Sequence, residues 1–191
     1  MEFLRYRRGP FVALLDELGP WESEKLPRSP VQVRSAATWR LPIPQLFIHG
    51  NYLPPNFALR RQDTIVYCPR THAAFGHPPH PFRDFLARGV RVALGTDSLA
   101  SNPDLDLLAE ARFLRRLHPD LPGAALLHMA TLAGAEALGW AGETGSLEPG
   151  KSADLAVVPL ANGDNGDPHD LVLGGDRPVS RVMCRGRWLA P

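Results

Sequence analysis

The chain has 191 residues, 44% of them hydrophobic and 21% charged, the composition of an ordinary globular protein of one or at most two domains. Its 21 lysines and arginines against 20 aspartates and glutamates leave a formal net charge of +1 with no basic block, which excludes a charge pattern addressed to nucleic acid or a membrane surface. The apolar runs stop well short of the ~20 residues of a transmembrane helix, and the charged start MEFLRYRRGPF has no signal-peptide core, so a cytoplasmic location is the default expectation. Cys68 and Cys184 form no CxxC pair and are expected as buried small hydrophobes.

Prolines and glycines cut the chain into short units with a strand-then-helix order. In GPFVALLDELG (9–19), Phe11, Leu14, Leu15 and Leu18 recur at helical spacing before Gly19-Pro20, which predicts an amphipathic helix. PIPQLFIHGN is an apolar run ending in His49, Gly50 and Asn51, and DTIVYCPRTH is a second, stopped by Pro69. PFRDFLARG sets Phe82, Phe85 and Leu86 on one helical face and ends at Gly89, where VRVALGTD begins. The next helix is expected to have Asn102 as its N-cap, Pro103 in the first position and Asp104 in the first turn. It is expected to bury Leu107, Leu108, Ala111, Leu114 and Leu117 against the alanine-rich segment 122–138. Beyond Leu138, the turns and short apolar pieces of TGSLEPGKSADLAVVPL and PVSRVMCRGRWLA predict a β-rich tail.

Strands without polar alternation, joined by helices, fit a parallel sheet covered on both faces. Such sheets bind ligands at strand C-termini, and there the polar residues fall: His49, the segment 69–72, and Asp97. With Asn102 assigned to the following helix, the Asp97 carboxylate is left to face a cavity. His49 follows Leu46, Phe47 and Ile48 and is expected to point into that same cavity, where an imidazole beside a carboxylate makes an acid–base or electrophilic pair. The loop PRTHAAFGHPPHPF holds His72, His77 and His80, which invites a zinc reading; the prolines at 78, 79 and 81 give no ligand spacing, and no carboxylate lies among them. Thr71, His72, His77 and Ser101 are expected to line the substrate side with His49, whereas His80, His118, His128 and His169 are not.

The segments LFIHGNYL, VYCPRTHAAFGH, ARGVRVALGTDSLASNPDLDLLAEAR, ATLAGAEALG and TGSLEPGKSADLAVV, in this order and at about this spacing, resemble the amidohydrolase superfamily. The branch they look like contains deaminases and chlorohydrolases of guanine, adenosine-related and triazine rings. The resemblance covers residues 1–160 and implies a (β/α)8 TIM barrel. It implies that Asp97 is the acid at the end of the last barrel strand, a ligand of a catalytic zinc or iron that shuttles a proton from the metal-bound water. It implies also that His49 is the histidine after the sixth strand, contacting the substrate or polarising the bond under attack. A metal ion lowers the pKa of its water, and a neighbouring carboxylate can take that proton and deliver it to the leaving nitrogen.

The chain departs from the family's pattern at the principal ligands. Members carry an HxH pair after the first strand and a further histidine after the fifth; no HxH occurs in this sequence. Only the last three barrel strands are visible, and a complete barrel takes ~250 residues. The expectation is therefore an α/β chain, with residues 1–140 as the last three βα units of an incomplete barrel and 141–191 as the β-rich tail of a companion domain. The implied activity is metal-dependent hydrolysis of a non-peptide C–N bond in a small molecule, by deamination or by amide or ring hydrolysis. Most ligands for zinc or iron would come from outside the chain, through a complementing N-terminal half or a homo-oligomer. Two other readings stay open: a non-catalytic truncated remnant, and a metal-free small-molecule binding module built on His49 and Asp97.

Overall fold

Each of the three apolar runs becomes a strand of one parallel sheet: β1 (Leu46–Ile48), β2 (Thr64–Tyr67) and β3 (Arg91–Leu94), in the order β1-β2-β3. The computed structural model describes residues 43–54, 56–160 and 165–189, and the expected helix over 9–19 lies outside them. Phe47 pairs with Ile65 and Ile65 with Val92, so the strands are in step and all point the same way. Between β2 and β3 run α1 (Pro69–Ala74) and α2 (Phe82–Ala87). Pro69 opens α1, where its missing N–H is not needed. After β3 come α3 (Leu107–Leu117), α4 (Gly123–Ala130) and α5 (Leu132–Leu138). One core joins sheet and helices through Ile65, Tyr67, Phe82, Phe85, Val92, Leu114 and Leu126. Each fully buried large side chain of this kind contributes about 1.5–3 kcal/mol.

Several expectations need correction. β2 and β3 are buried on both faces, but in β1 the side chains of Leu46 and Ile48 are exposed, at 41% and 55%. The β1–β2 connection contains turns and, among its described residues, no helix. Pro54 and the proline after it disfavour a helix there, and Leu53, Phe57 and Leu59 pack under the sheet instead. Helix α3 starts later than expected: its N-cap is Asp106, whose carboxylate accepts from the Ala109 N–H at 3.0 Å. Asn102 is buried and committed elsewhere, and Leu117, at the helix end, is 53% exposed. The segment 122–138 is two helices, broken where Thr131 turns back and its hydroxyl donates to the Leu127 carbonyl at 2.6 Å.

The tail forms an antiparallel sheet of β4 (Leu155–Val157), β5 (Arg181–Cys184) and β6 (Arg187–Trp188), in that order. It also holds a helix where turns and short strands are expected from the sequence, α6 (Pro168–Gly174), capped by Asp167. Leu173 of α6 is buried in the core shared with the parallel sheet. Cys68 is buried as expected, whereas Cys184 is exposed. No helix among the described residues is long and apolar enough to cross a membrane.

Candidate active site

The chain leaves two of the parallel strands through left-handed residues. After β1, His49 and Gly50 have φ of +64° and +67°; after β3, Asp97 has φ of +61°. A left-handed conformation costs an L-residue roughly 1–2 kcal/mol, least for Asp and Asn, so it persists only where the surroundings impose it. The ladder ends close by, where His49 N–H donates to the Val66 carbonyl at 2.8 Å and Gly95 N–H to the Tyr67 carbonyl at 2.9 Å. Gly95 is required by proximity: a Cβ there would stand 2.9 Å from Val66 Cγ1 and 3.2 Å from Cys68 Sγ.

These turns aim two side chains at each other. His49 Nε2 lies 3.7 Å from Asp97 Oδ2, and both side chains are about a third exposed, at 33% and 31%. Ser101 Oγ–H donates to the same Asp97 oxygen at 2.7 Å, and Thr71 Oγ1 lies 3.4 Å from Ser101 Oγ. Asp97, His49, Ser101 and Thr71 therefore meet in one continuous cluster, drawn from the C-terminal ends of all three strands. His72 and His77 stand to one side. His72 is buried, with Nε2–H donating to the Pro78 carbonyl at 3.0 Å; His77 Nδ1 shares a 3.0 Å hydrogen bond with the Tyr52 hydroxyl. Their rings are 5.5 Å apart.

Three residues outside the expected set act on this cluster. His80 Nε2–H donates to the His49 carbonyl at 2.5 Å, while its ring stacks on Tyr67 at 4.1 Å. Asn102 Nδ2 donates to the Thr96 carbonyl at 2.7 Å and to Glu110 Oε1 at 2.5 Å. Glu110, with no exposed surface, also accepts from the Arg70 N–H at 2.9 Å. The sequence carried one signal for Glu110: a carboxylate on the same helical stripe as Leu107, Ala111 and Leu114.

Burial governs the electrostatics. It lowers the His80 imidazole to about 4, against the opposing hydrogen bond to the His49 carbonyl, so the ring is neutral. The Cys68 thiol is pushed up to about 12 by burial, then by the charges of Asp97 and Glu110, and is no nucleophile. Burial likewise raises the Glu110 carboxyl, opposed by the Arg70 N–H and the Asn102 amide. A catalytic zinc site needs three protein ligands. Among the described residues no group of three or more His, Cys, Asp or Glu side chains is arranged to hold a metal, so these residues alone do not fit such an ion. Two clefts, of about 370 and 430 Å³, lie beside α6 and at the entry of β3; the first is lined by Asp170 and Arg177, the second by Arg91 and His128. Neither is lined by Asp97 or His49.

The profile of the amidohydrolase family matches residues 43–189, which include both strand ends and the whole cluster. The chain belongs to the amidohydrolase family. This amidohydrolase is 38% identical over 114 residues to the 5-methylthioadenosine/S-adenosylhomocysteine deaminase of Moorella thermoacetica, a match covering 56% of this chain and 27% of that protein. It is 41% identical over 130 residues to the enzyme of the same name from Syntrophobacter fumaroxidans, covering 64% and 28%. It thus spans less than a third of the length of these curated relatives. Among solved structures it resembles a zinc-bound adenosine deaminase of Xanthomonas campestris, with a TM-score of 0.68, 27% identity and coverage of 98% and 41%. It also resembles an atrazine chlorohydrolase mutant of Arthrobacter aurescens complexed with zinc and atraton, with a TM-score of 0.61, 29% identity and coverage of 75% and 35%.

Proposed function

We propose that this amidohydrolase chain is the C-terminal part of a metal-dependent hydrolase that removes an amino group from a nitrogen heteroaromatic ring, as in an adenosine-type nucleoside. The meeting of Asp97 and His49 at 3.7 Å, from the ends of two different strands, carries the reading. An acid and an imidazole so placed can divide the work. Asp97, oriented by the Ser101 hydroxyl on Oδ2, accepts a proton and returns it to the leaving nitrogen; His49 presents Nε2 to a polar atom of the ring. The names of the relatives, deaminases of methylthioadenosine, adenosylhomocysteine and adenosine, support the choice of leaving group and ring. Zinc or iron would be held mainly by side chains from a complementing polypeptide, with Asp97 adding one carboxylate. The three parallel strands would then be the last of a barrel closed by that partner.

The test is co-expression with the N-terminal part of a matching deaminase, one that supplies the HxH pair and the fifth-strand histidine. Ammonia release is then followed from adenosine, methylthioadenosine, S-adenosylhomocysteine and guanine. Release by the complex, and by neither part alone, is the expected result. A folded, zinc-loaded complex that releases no ammonia would favour a non-catalytic remnant. Ligand binding that survives chelation would favour a binding module.

A further inference from the structure

Glu110 is a fully buried carboxylate on α3 that takes no part in the chemistry above. We propose that Glu110, acting through Asn102, is the positioning residue of the Asp97 turn, tying the loop that carries Asp97 to the first turn of α1.

The connections are specific. One Asn102 amide nitrogen donates both to Glu110 Oε1 and to the carbonyl of Thr96, the residue immediately before Asp97. Both partners are acceptors, so the amide has only one usable orientation. The other Glu110 oxygen accepts the Arg70 N–H at the start of α1, and the Arg70 guanidinium forks onto Asp104 at 2.8 and 2.9 Å. Asp104 lies in the same loop as Asn102, so that loop is fixed to α1 through both oxygens of Asp104 and through Glu110. The next residue of α1 is Thr71, whose hydroxyl reaches Ser101 and through it Asp97. A single carboxylate therefore sets two things: the peptide that enters the left-handed Asp97, and the helix that brings Thr71 to Ser101. A fully buried charge contributes little net stability over an apolar side chain of similar size, so its presence on an otherwise apolar stripe asks for a role in specifying geometry. The inference depends on the proposed function only in naming Asp97 as the reactive acid; the geometry it explains is independent of the reaction.

The experiment uses the full chain, isotopically labelled, with Asn102→Ala, Glu110→Gln and a control, Leu114→Ala, which opens a cavity one helical turn from Glu110. The readouts are the melting midpoint, the NMR shifts of Asp97 and Thr71, and the nuclear Overhauser contact between the His49 ring and the Asp97 side chain. Leu114→Ala should lower the midpoint and leave the Asp97 signals and the contact in place. Asn102→Ala should shift Asp97 and abolish the contact; Glu110→Gln keeps one acceptor oxygen for two donors, so it should shift Asp97 where it releases the Asn102 amide or Thr71 where it releases the Arg70 N–H. Both brace variants melting early with the Asp97 signals and the contact unchanged would reduce Glu110 to a structural residue and overturn the proposal. So would failure of both to fold, since the brace would then serve the fold at large. If only Glu110→Gln fails to fold, Asn102→Ala decides by the same signals. No readout uses catalysis, so the absence of hydrolysis in a complemented enzyme leaves this result standing.

Discussion

The two ends of the parallel strands are built differently. At the entry end, Asp63 is buried just before β2 and accepts from Gln45 N–H at 3.1 Å, Arg60 N–H at 2.9 Å and the Arg60 guanidinium at 2.7 Å. Beside it, at the start of β3, Arg91 donates to Glu136 at 2.8 Å and to the Thr64 hydroxyl at 3.3 Å. At the exit end, His49 and Asp97 hold left-handed backbones and face each other at 3.7 Å, too far for a hydrogen bond. At the entry Asp63 and Arg91 each meet an opposite charge in hydrogen-bonding contact; at the exit an acid and an imidazole are kept apart in costly conformations. Parallel α/β folds put stability at the one end and chemistry at the other, and strain tolerated against stability belongs with the chemistry.

Substitutions sharpen this contrast. The largest effect belongs to Asp97→Asn in a complemented enzyme. The amide keeps the shape but cannot take a proton, and the hydrolysis rate should fall about 10²–10⁴-fold with the melting midpoint unchanged. Asp63→Ala is the counterpart at the entry. It leaves the Gln45 N–H and the Arg60 cation without their carboxylate and should cost about 2–3 kcal/mol in urea unfolding, with the rate below the melting range preserved.

Acid should weaken the fold through the exit end. The folded His80 ring titrates at about 4 against an ordinary value of 6.5. Within that window the unfolded chain binds a proton that the folded chain refuses, so stability rises with pH and falls as acid is added. Burial lowers His72 and His118 too, which adds to the same slope. His80→Phe should flatten the dependence of the unfolding free energy on pH between those values; an unchanged slope would place the titration elsewhere. The smallest effect is that of His49→Gly. Relief of the left-handed strain is partly offset by the greater freedom of glycine in the unfolded chain, so stability should stay level or rise by up to about 1 kcal/mol, measured by thermal unfolding. A clear loss of stability would mean that His49 is there for the fold.

Much of the exit end was legible in the sequence because its logic is local. Apolar runs that stop at His49 and Asp97 announce strands with polar ends, and Thr71 and Ser101 follow within a few residues of such ends. The supports were not legible, because their partners are set by tertiary structure. Asn102-Pro103 matches a helix start, yet the Asn102 amide is taken by a backbone carbonyl and a buried carboxylate, and Asp106 does the capping. His80 lies in a proline-rich loop and finds its acceptor on the His49 carbonyl, 31 residues away. The exposed face of β1 was hidden for a different reason: Leu46 and Ile48 have the same composition as buried strand residues, and only packing separates the two cases. Helix α6 is not legible in the sequence because its few helical residues follow a loop rich in Gly, Asp and Asn, and only the burial of Leu173 reveals its contribution.

The central proposal is that the exit end carries one part of a metal-dependent hydrolytic site, with Asp97 supplying a ligand and the other ligands coming from outside these 191 residues. Zinc content after dialysis against a chelator tests it most directly, compared among the chain alone, the complemented complex and the complex with Asp97→Ala. The account predicts that the chain alone retains little zinc, that the complex retains a stoichiometric ion, and that Asp97→Ala releases it. A stoichiometric ion held by the chain alone, or a complex that keeps its zinc after Asp97→Ala, would contradict it.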